Sequence, residues 1–192
     1  QKAGVTPVFL SHGDKICTGK YVFKFFDAGD KEKTPYKYHI VTSSPKMMKV
    51  IQQVENTAKF DKKSVLIMGE TGTGKELVAK AVHEVSDRAG KPFVSVNCAS
   101  IKKELAESLL FGFTKGSFTS ATDDRMGFFE QAEGGTLFLD EIGELGPEVQ
   151  GSLLRAIEYK DISPIGSVKS KKIDVRIIAA TNRNLDNKTV RE

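Results

Sequence analysis

The sequence predicts a three-layer α/β fold with a parallel central sheet, and three observations carry that prediction. Short apolar runs alternate with segments of helical period, a glycine-rich loop joins one run to a helix, and a second run ends on two acids. The alternation starts with a helix from Met47 to Lys59, where Met47, Val50, Ile51, Val54 and Ala58 share one face. The strand candidates are Val65–Met68, Phe93–Asn97, Thr136–Asp140 and Val175–Ala180, dense in apolar residues as parallel strands covered on both faces require. Between them lie helices near Glu76–Arg88, Ile101–Leu110, Phe128–Glu133 and Pro147–Tyr159. The last opens on Gly146-Pro147, a favourable helix start, and its period turns Val149, Leu153, Leu154 and Ile157 toward the core. Upstream the style differs. Val8–Leu10, Lys15–Cys17 and Tyr21–Phe25 read as short strands joined by the tight turns Ser11–Asp14 and Thr18–Lys20. Polar residues dominate from Asp27 to about Pro45, as in a linker, so the chain divides into 1–27, 28–44 and 45–192.

Composition narrows the class. The chain has 192 residues, 39% of them hydrophobic and 28% charged, which suits a soluble globular protein with one full core. No apolar run is long enough to span a bilayer and no signal peptide is visible, so the expectation is a cytoplasmic protein without membrane partners. Cys17 and Cys98 fit no metal-ligand spacing and read as idle thiols in a reducing compartment, with Cys98 in the core. A net charge of +4 does not argue for nucleic acid, and Lys169, Lys171 and Lys172 look like a solvated hairpin face.

The chemistry converges on two strand ends. Gly69, Glu70, Thr71, Gly72, Thr73, Gly74, Lys75 and Glu76 follow the first strand directly and open a helix in which Leu77, Val78, Ala81, Val82 and Val85 recur at helical spacing. Glycines there let backbone N–H groups turn inward around phosphate oxygens, while Lys75 and the helix N-terminus add positive charge. This spacing predicts a bound nucleoside triphosphate, ATP, with Mg²⁺. Glu76 stands where a Ser or Thr usually holds that metal, so the ion depends more on another carboxylate and on water. Asp140, delivered at the end of Thr136–Asp140, is that candidate, and Glu141 is placed to polarise an attacking water. Asn97, Thr181 and Asn182 end two other strands, where they can reach the γ-phosphate or orient Glu141. The stretch 111–122 has neither helical nor strand period and carries aromatics among small residues. It is either a functional loop or one that folds Phe113 and Phe118 into a core of its own.

From about Ser44 to Leu185 these motifs resemble the central ATPase domain of the sigma-54-dependent bacterial transcription activators, a branch of the AAA+ superfamily. The resemblance is carried by residues 69–76, Phe93–Ala99, the run Gly134–Leu145 and Asp174–Asn182, and Glu76 is usual in that family. It implies a P-loop NTPase fold and a homo-oligomeric ring whose ATP cycle drives a surface loop against the sigma-54 RNA polymerase holoenzyme. Gly116, Ser117, Phe118, Thr119, Ser120 and Ala121 occupy the position of the family's Gly-Ala-Phe-Thr-Gly-Ala loop, with Phe118 and Thr119 expected to touch sigma. Ser117 replaces Ala, Ser120 replaces Gly, and Phe113 and Thr114 stand where the family usually has His and Glu. The family's arginine fingers, its helical lid subdomain and a DNA-binding domain fall beyond residue 192, so DNA is expected only through a domain absent here and the fragment is expected to hydrolyse ATP poorly. Residues 1–27 resemble the last strands of a forkhead-associated domain, on Leu10, His12-Gly13-Asp14, Ile16, Gly19 and Phe23–Phe25, which implies a phosphoprotein partner. The alternative to a remodelling ATPase is a nucleotide-binding regulatory scaffold; an AAA+ machine with another target is a third reading.

Overall fold

The computed structural model describes residues 15–18, 21–24, 36–42, 44–119 and 121–183. The expected strand at Val8–Leu10, the turn Ser11–Asp14, Ser120 and Leu185 lie outside those residues. In chain order, β1 (Lys15–Thr18) and β2 (Tyr21–Lys24) form an antiparallel hairpin, as do β3 (Tyr36–Lys37) and β4 (Ile40–Val41). Then come α1 (Pro45–Ala58), β5 (Val65–Met68), α2 (Lys75–Glu84) and β6 (Phe93–Asn97). A short 3₁₀ turn at Cys98–Ser100 leads into α3 (Lys103–Phe111), followed by β7 (Gly112–Phe113), β8 (Arg125–Met126) and α4 (Phe128–Gln131). The chain closes with β9 (Thr136–Asp140), α5 (Pro147–Glu158), β10 (Asp161–Ile162), β11 (Lys171–Lys172) and β12 (Arg176–Thr181).

Four strands form one parallel sheet in the order β5-β12-β9-β6. Its two faces are separate cores, because alternate side chains of a strand point to opposite sides. Leu137 and Leu139 of β9 pack with Leu110, Phe111, Phe129, Val149, Leu153 and Ile177 under α3, α4 and α5. Phe138 points the other way, with Ile178 and Ala180, toward Ile51, Val54, Ala79 and Val82 of α1 and α2. Leu137, Phe138 and Leu139 are fully buried, each worth about 1.5–3 kcal/mol of transfer free energy. That is the expected α/β sandwich of three layers.

Several local expectations change in the folded chain. β5 is an edge strand, not one covered on both faces: Leu66 and Met68 are exposed, while Val65 and Ile67 face the α1/α2 core. Leu77 and Leu154 fit the helical period but are exposed, and the buried places go to Ala79, His83 and Ala156. α2 stops at Glu84, short of Arg88, because Ser86 competes with the helix for backbone groups: its hydroxyl donates to the His83 carbonyl at 2.7 Å and accepts from Arg88 N–H at 3.2 Å. Arg88 is then free to turn under the sheet, bonding Asp61 and Asp174, each at 2.7 Å, and the Gly135 and Asp174 carbonyls. Within the stretch expected to be a linker, residues 36–41 are folded as a hairpin, with Ile40 buried in the α1/α2 core.

Candidate active site

The phosphate loop forms because β5 ends at Met68 and the next backbone N–H, that of Gly69, bonds across to the Thr181 carbonyl of β12 at 3.2 Å. From there the chain must reverse into α2. Gly72 and Gly74 sit at φ 81° and 86°, left-handed conformations that a Cβ penalises. Gly74 is also the N-cap of α2, and no side chain bonds the free N–H groups of that first turn. They are left for an anion. Thr73 Oγ1 donates to the Glu70 carbonyl at 2.8 Å and closes the loop.

Lys75, only 7% exposed, donates to the carbonyls of Gly69 (3.1 Å) and Glu70 (3.3 Å) and to Glu141 Oε1 (3.1 Å). Glu141 adopts φ 50°, ψ 48°, a left-handed conformation in a non-glycine residue at the strand end. Its second carboxylate oxygen accepts from Asn182 N–H at 3.1 Å, and the Asn182 amide donates to Thr71 Oγ1 at 3.2 Å. Loop, acid and the end of β12 are thus one hydrogen-bonded unit, although they lie far apart in sequence. Asp140 Oδ1 accepts from Glu141 N–H at 3.0 Å, which leaves its other oxygen open. Thr181 is fully buried, and its hydroxyl accepts from Arg183 N–H at 3.1 Å. Beside the loop, Met47, Val50, Ile67, Met68, Thr73 and Val78 line an apolar cavity of about 280 Å³. An apolar, concave wall next to a phosphate cradle suits a nucleotide base.

Two expected residues are not drawn into this unit. Asn97 stands beside Asp140 in the sheet register, but its side-chain oxygen accepts from Ala99 N–H at 2.9 Å and caps the 3₁₀ turn. Glu76 is exposed and pairs with Lys80 one turn on, at 3.0 Å. Cys98 is in the core as expected, and burial, helped by the nearby charge of Asp140, pushes its thiol up to about 12. Sequence inspection missed Arg183, which bonds Glu144 at 2.7 Å across the mouth of the strand ends. Nothing local marks it, since the pair spans two separate turns.

The stretch around Phe118 is more ordered than its lack of period suggested. β7 and β8 pair at its base, and Phe113 bridges to Ile165 of the loop between β10 and β11. Thr114 N–H donates to the Ile165 carbonyl at 3.0 Å, and Ile165 N–H donates to the Gly112 carbonyl at 3.0 Å. Gly166 has φ 81°, and a Cβ there would lie 2.5 Å from that of Ser117. Only glycine fits that contact. Sequence inspection read the hairpin face at Lys169, Lys171 and Lys172 but not that its loop braces the stretch around Phe118.

A phosphate loop after one strand, and an acid pair ending a strand one place removed across the sheet, are the two halves of a P-loop nucleoside triphosphatase site. The chain matches the family described as the sigma-54 interaction domain over residues 40–192, and it belongs to that family. It is 55% identical to the anaerobic nitric oxide reductase transcription regulator NorR of Citrobacter koseri, over 74% of this chain and 28% of that protein. Against the Nif-specific regulatory protein of Azospirillum brasilense it is 51% identical, over 77% of this chain and 23% of that one. The crystal structure of NtrX from Brucella abortus in complex with ATP superposes with a TM-score of 0.70 and 37% identity, covering 79% of this chain and 32% of NtrX. The chain therefore carries a sigma-54 interaction domain of the AAA+ ATPase type, and it spans about a quarter to a third of the length of these relatives.

Proposed function

We propose that this chain binds ATP with Mg²⁺, hydrolyses it, and uses the cycle to remodel sigma-54 RNA polymerase in the cytoplasm. The observation that supports this most is the linked set of Lys75, Glu141, Asn182 and Thr71 at the carboxyl edge of the sheet. Glu141 pairs with Lys75 at 3.1 Å; γ-phosphate oxygens can take its place on Lys75, which leaves the Glu141 carboxylate to orient water. Gly69 to Gly74 form the cradle with Lys75, and Glu76 serves it only through its backbone N–H in the first turn of α2. Mg²⁺ fits Asp140, whose open oxygen can accept one ligand position, directly or through water, while phosphates and water supply the rest. When bound, the ion neutralises charge on the phosphates. Asn182 positions Glu141 through its backbone N–H, and Thr181 fixes the end of β12 against the loop. Asn97 senses nucleotide from the neighbouring strand, for which it must exchange its cap on Ala99 N–H.

Residues 116–121 are proposed as the sigma contact, led by Phe118 and Thr119. We further propose a homo-oligomeric ring, DNA contact only through a separate domain, and the division into 1–27, 28–44 and 45–192. The antiparallel pairing of β1 with β2 is compatible with the end of a forkhead-associated domain that takes a phosphoprotein. Binding of a phosphothreonine peptide by a chain carrying that whole domain tests it.

A second reading, a nucleotide-binding scaffold that does not remodel, is favoured by the seating of Phe118 against Phe113 and by the two serines of the loop. ADP with a planar phosphate mimic separates the two: a remodeller is trapped on sigma-54, and a scaffold binds the nucleotide complex without being retained. Retention that survives Phe118→Ala would exclude the loop as the contact.

A further inference from the structure

The turn after the acid pair is tied to the end of β12 by more than Glu141. Glu141 leaves its strand at φ 50°, ψ 48°, and Ile142–Glu144 follow as one 3₁₀ turn, closed by Glu144 N–H on the Glu141 carbonyl at 2.9 Å. Leu145 then enters the core with Val149 and Leu153 and anchors the far side. Between these two points the turn meets Arg183. Arg183 Nη2 donates to Glu144 Oε1 at 2.7 Å, and its backbone N–H donates to the Thr181 hydroxyl at 3.1 Å. Its stem lies over Gly143, where a Cβ would come 2.9 Å from Arg183 Cδ and 3.3 Å from Thr181 Oγ1. Thr181 is fully buried, so the root of the Arg183 side chain is fixed. A non-glycine residue keeps a left-handed backbone only where its surroundings hold it. At Glu141 those surroundings are Asn182 N–H on one carboxylate oxygen, Lys75 on the other, and the turn that Arg183 and Glu144 pin.

We propose that Arg183 is a positioning residue for ATP hydrolysis: paired with Glu144, it braces the turn 141–144 against β12 and so fixes where the Glu141 carboxylate lies. Its bearing on hydrolysis rests on the proposed role of Glu141; the brace itself does not. Phosphate on Lys75 removes one of the two bonds that hold the carboxylate. The Asn182 bond remains, and the brace keeps the backbone beneath it in place. Both side chains of the pair are nearly half exposed, so the pair adds little to global stability and acts locally.

Amide hydrogen exchange on the whole 192-residue chain reads the brace without nucleotide, through Asn182 N–H, whose acceptor is Glu141 itself. Arg183→Met keeps the stem over Gly143 and removes the guanidinium; Glu144→Met removes the pair from the other side. After correction for intrinsic rates, each should lower protection at Asn182 and Leu145 by about 2- to 5-fold, the range of a partly exposed ion pair. The double variant should lose no more than either single one, because both remove the same interaction. Arg183→Lys, which keeps the charge, should restore most of the protection, and Ile178 and Ala179 inside β12 should not change. Unchanged protection at Asn182, or additive losses in the double variant, would overturn the brace. Hydrolysis and nucleotide affinity are then measured for the same variants. Both methionine variants should lower kcat by at least the exchange factor and leave nucleotide affinity where it was. A charge effect on the triphosphate alone would instead move affinity in opposite directions, since one variant loses a positive charge and the other a negative one. That pattern with kcat unchanged would overturn the positioning role. Hydrolysis insensitive to Glu141→Gln would instead refute the proposed base, with protection at Asn182 still deciding the brace.

Discussion

At Lys75 and Glu141 one ion pair joins the phosphate loop to the strand end that carries the acids. Each is held in the linked unit by further bonds, so substituting one leaves the other's partners in place. Glu141→Gln keeps the shape and the contact with Asn182 N–H but removes the base. Steady-state hydrolysis should fall on the order of 10²- to 10⁴-fold, while nucleotide affinity is kept; turnover within a few-fold of the parent would remove Glu141 from the mechanism. Lys75→Ala should instead abolish binding, read by titration with a fluorescent nucleotide. Asn97 offers a finer test, because its present bond is a cap. Asn97→Ala should lower stability by about 1 kcal/mol, and a loss of hydrolysis beyond what the lowered stability explains would show that Asn97 also acts on nucleotide. These residues were legible from sequence because each ends a recognisable strand or opens a recognisable helix. What could not be read was their state: that Glu141 lies on Lys75, that Asn182 spans to Thr71, and that Asn97 caps its own turn.

Elements show a second pattern, in which polar groups pin the lower edge of the sheet. His83 of α2 is buried, with Nδ1 2.9 Å from Thr136 Oγ1 of β9 and its ring 5.1 Å from that of Phe93. Burial holds its pKa below the ordinary value, against the opposing pull of Glu84, and Arg176 lowers it further. A depressed folded pKa means that the stability is fully present above the unfolded value of about 6.5 and is lost as pH falls through the folded value. The thermal midpoint should therefore drop between pH 7.5 and 5.5, and His83→Gln should flatten that drop; an equal slope in both proteins would count against it. Asp61 works in a lower window. Its bond to Arg88 holds its carboxyl below the ordinary range, so that contribution is present above about pH 4 and fades in stronger acid. Arg88→Met removes a buried cation from under β9 and β12, leaving Asp61 and the Gly135 and Asp174 carbonyls without it. Because Asp174 is 73% exposed and Asp61 only partly buried, leaving these acceptors unpaired costs about 1–3 kcal/mol, and the denaturant midpoint should show it. Sequence reading saw none of this network, because Asp61, Arg88 and Asp174 sit in three different turns and look like ordinary surface charges.

For the whole molecule, the exposed edge of β5 and the linked strand ends place the nucleotide cradle at a surface, not in a closed cleft. If a neighbouring copy completes the site, hydrolysis per chain should rise with protein concentration. It should also depend on Glu141. A concentration-independent rate would argue against the ring and raise the scaffold reading.

The sequence by itself determined the layer architecture, the strands Val65–Met68, Phe93–Asn97 and Thr136–Asp140, and the positions of the phosphate loop and acid pair. These are local properties: hydrophobic period, glycine placement and the residue that ends each strand. Only the tertiary structure decided which strand became an edge, which leucines faced water, and how α2 ended. It also decided which loop braced which, since Phe113 meets Ile165 and Phe118 only after β7, β8 and the loop between β10 and β11 have packed. Contacts between segments distant along the chain leave no periodic trace, because each side satisfies its own local rules whether or not the other is present.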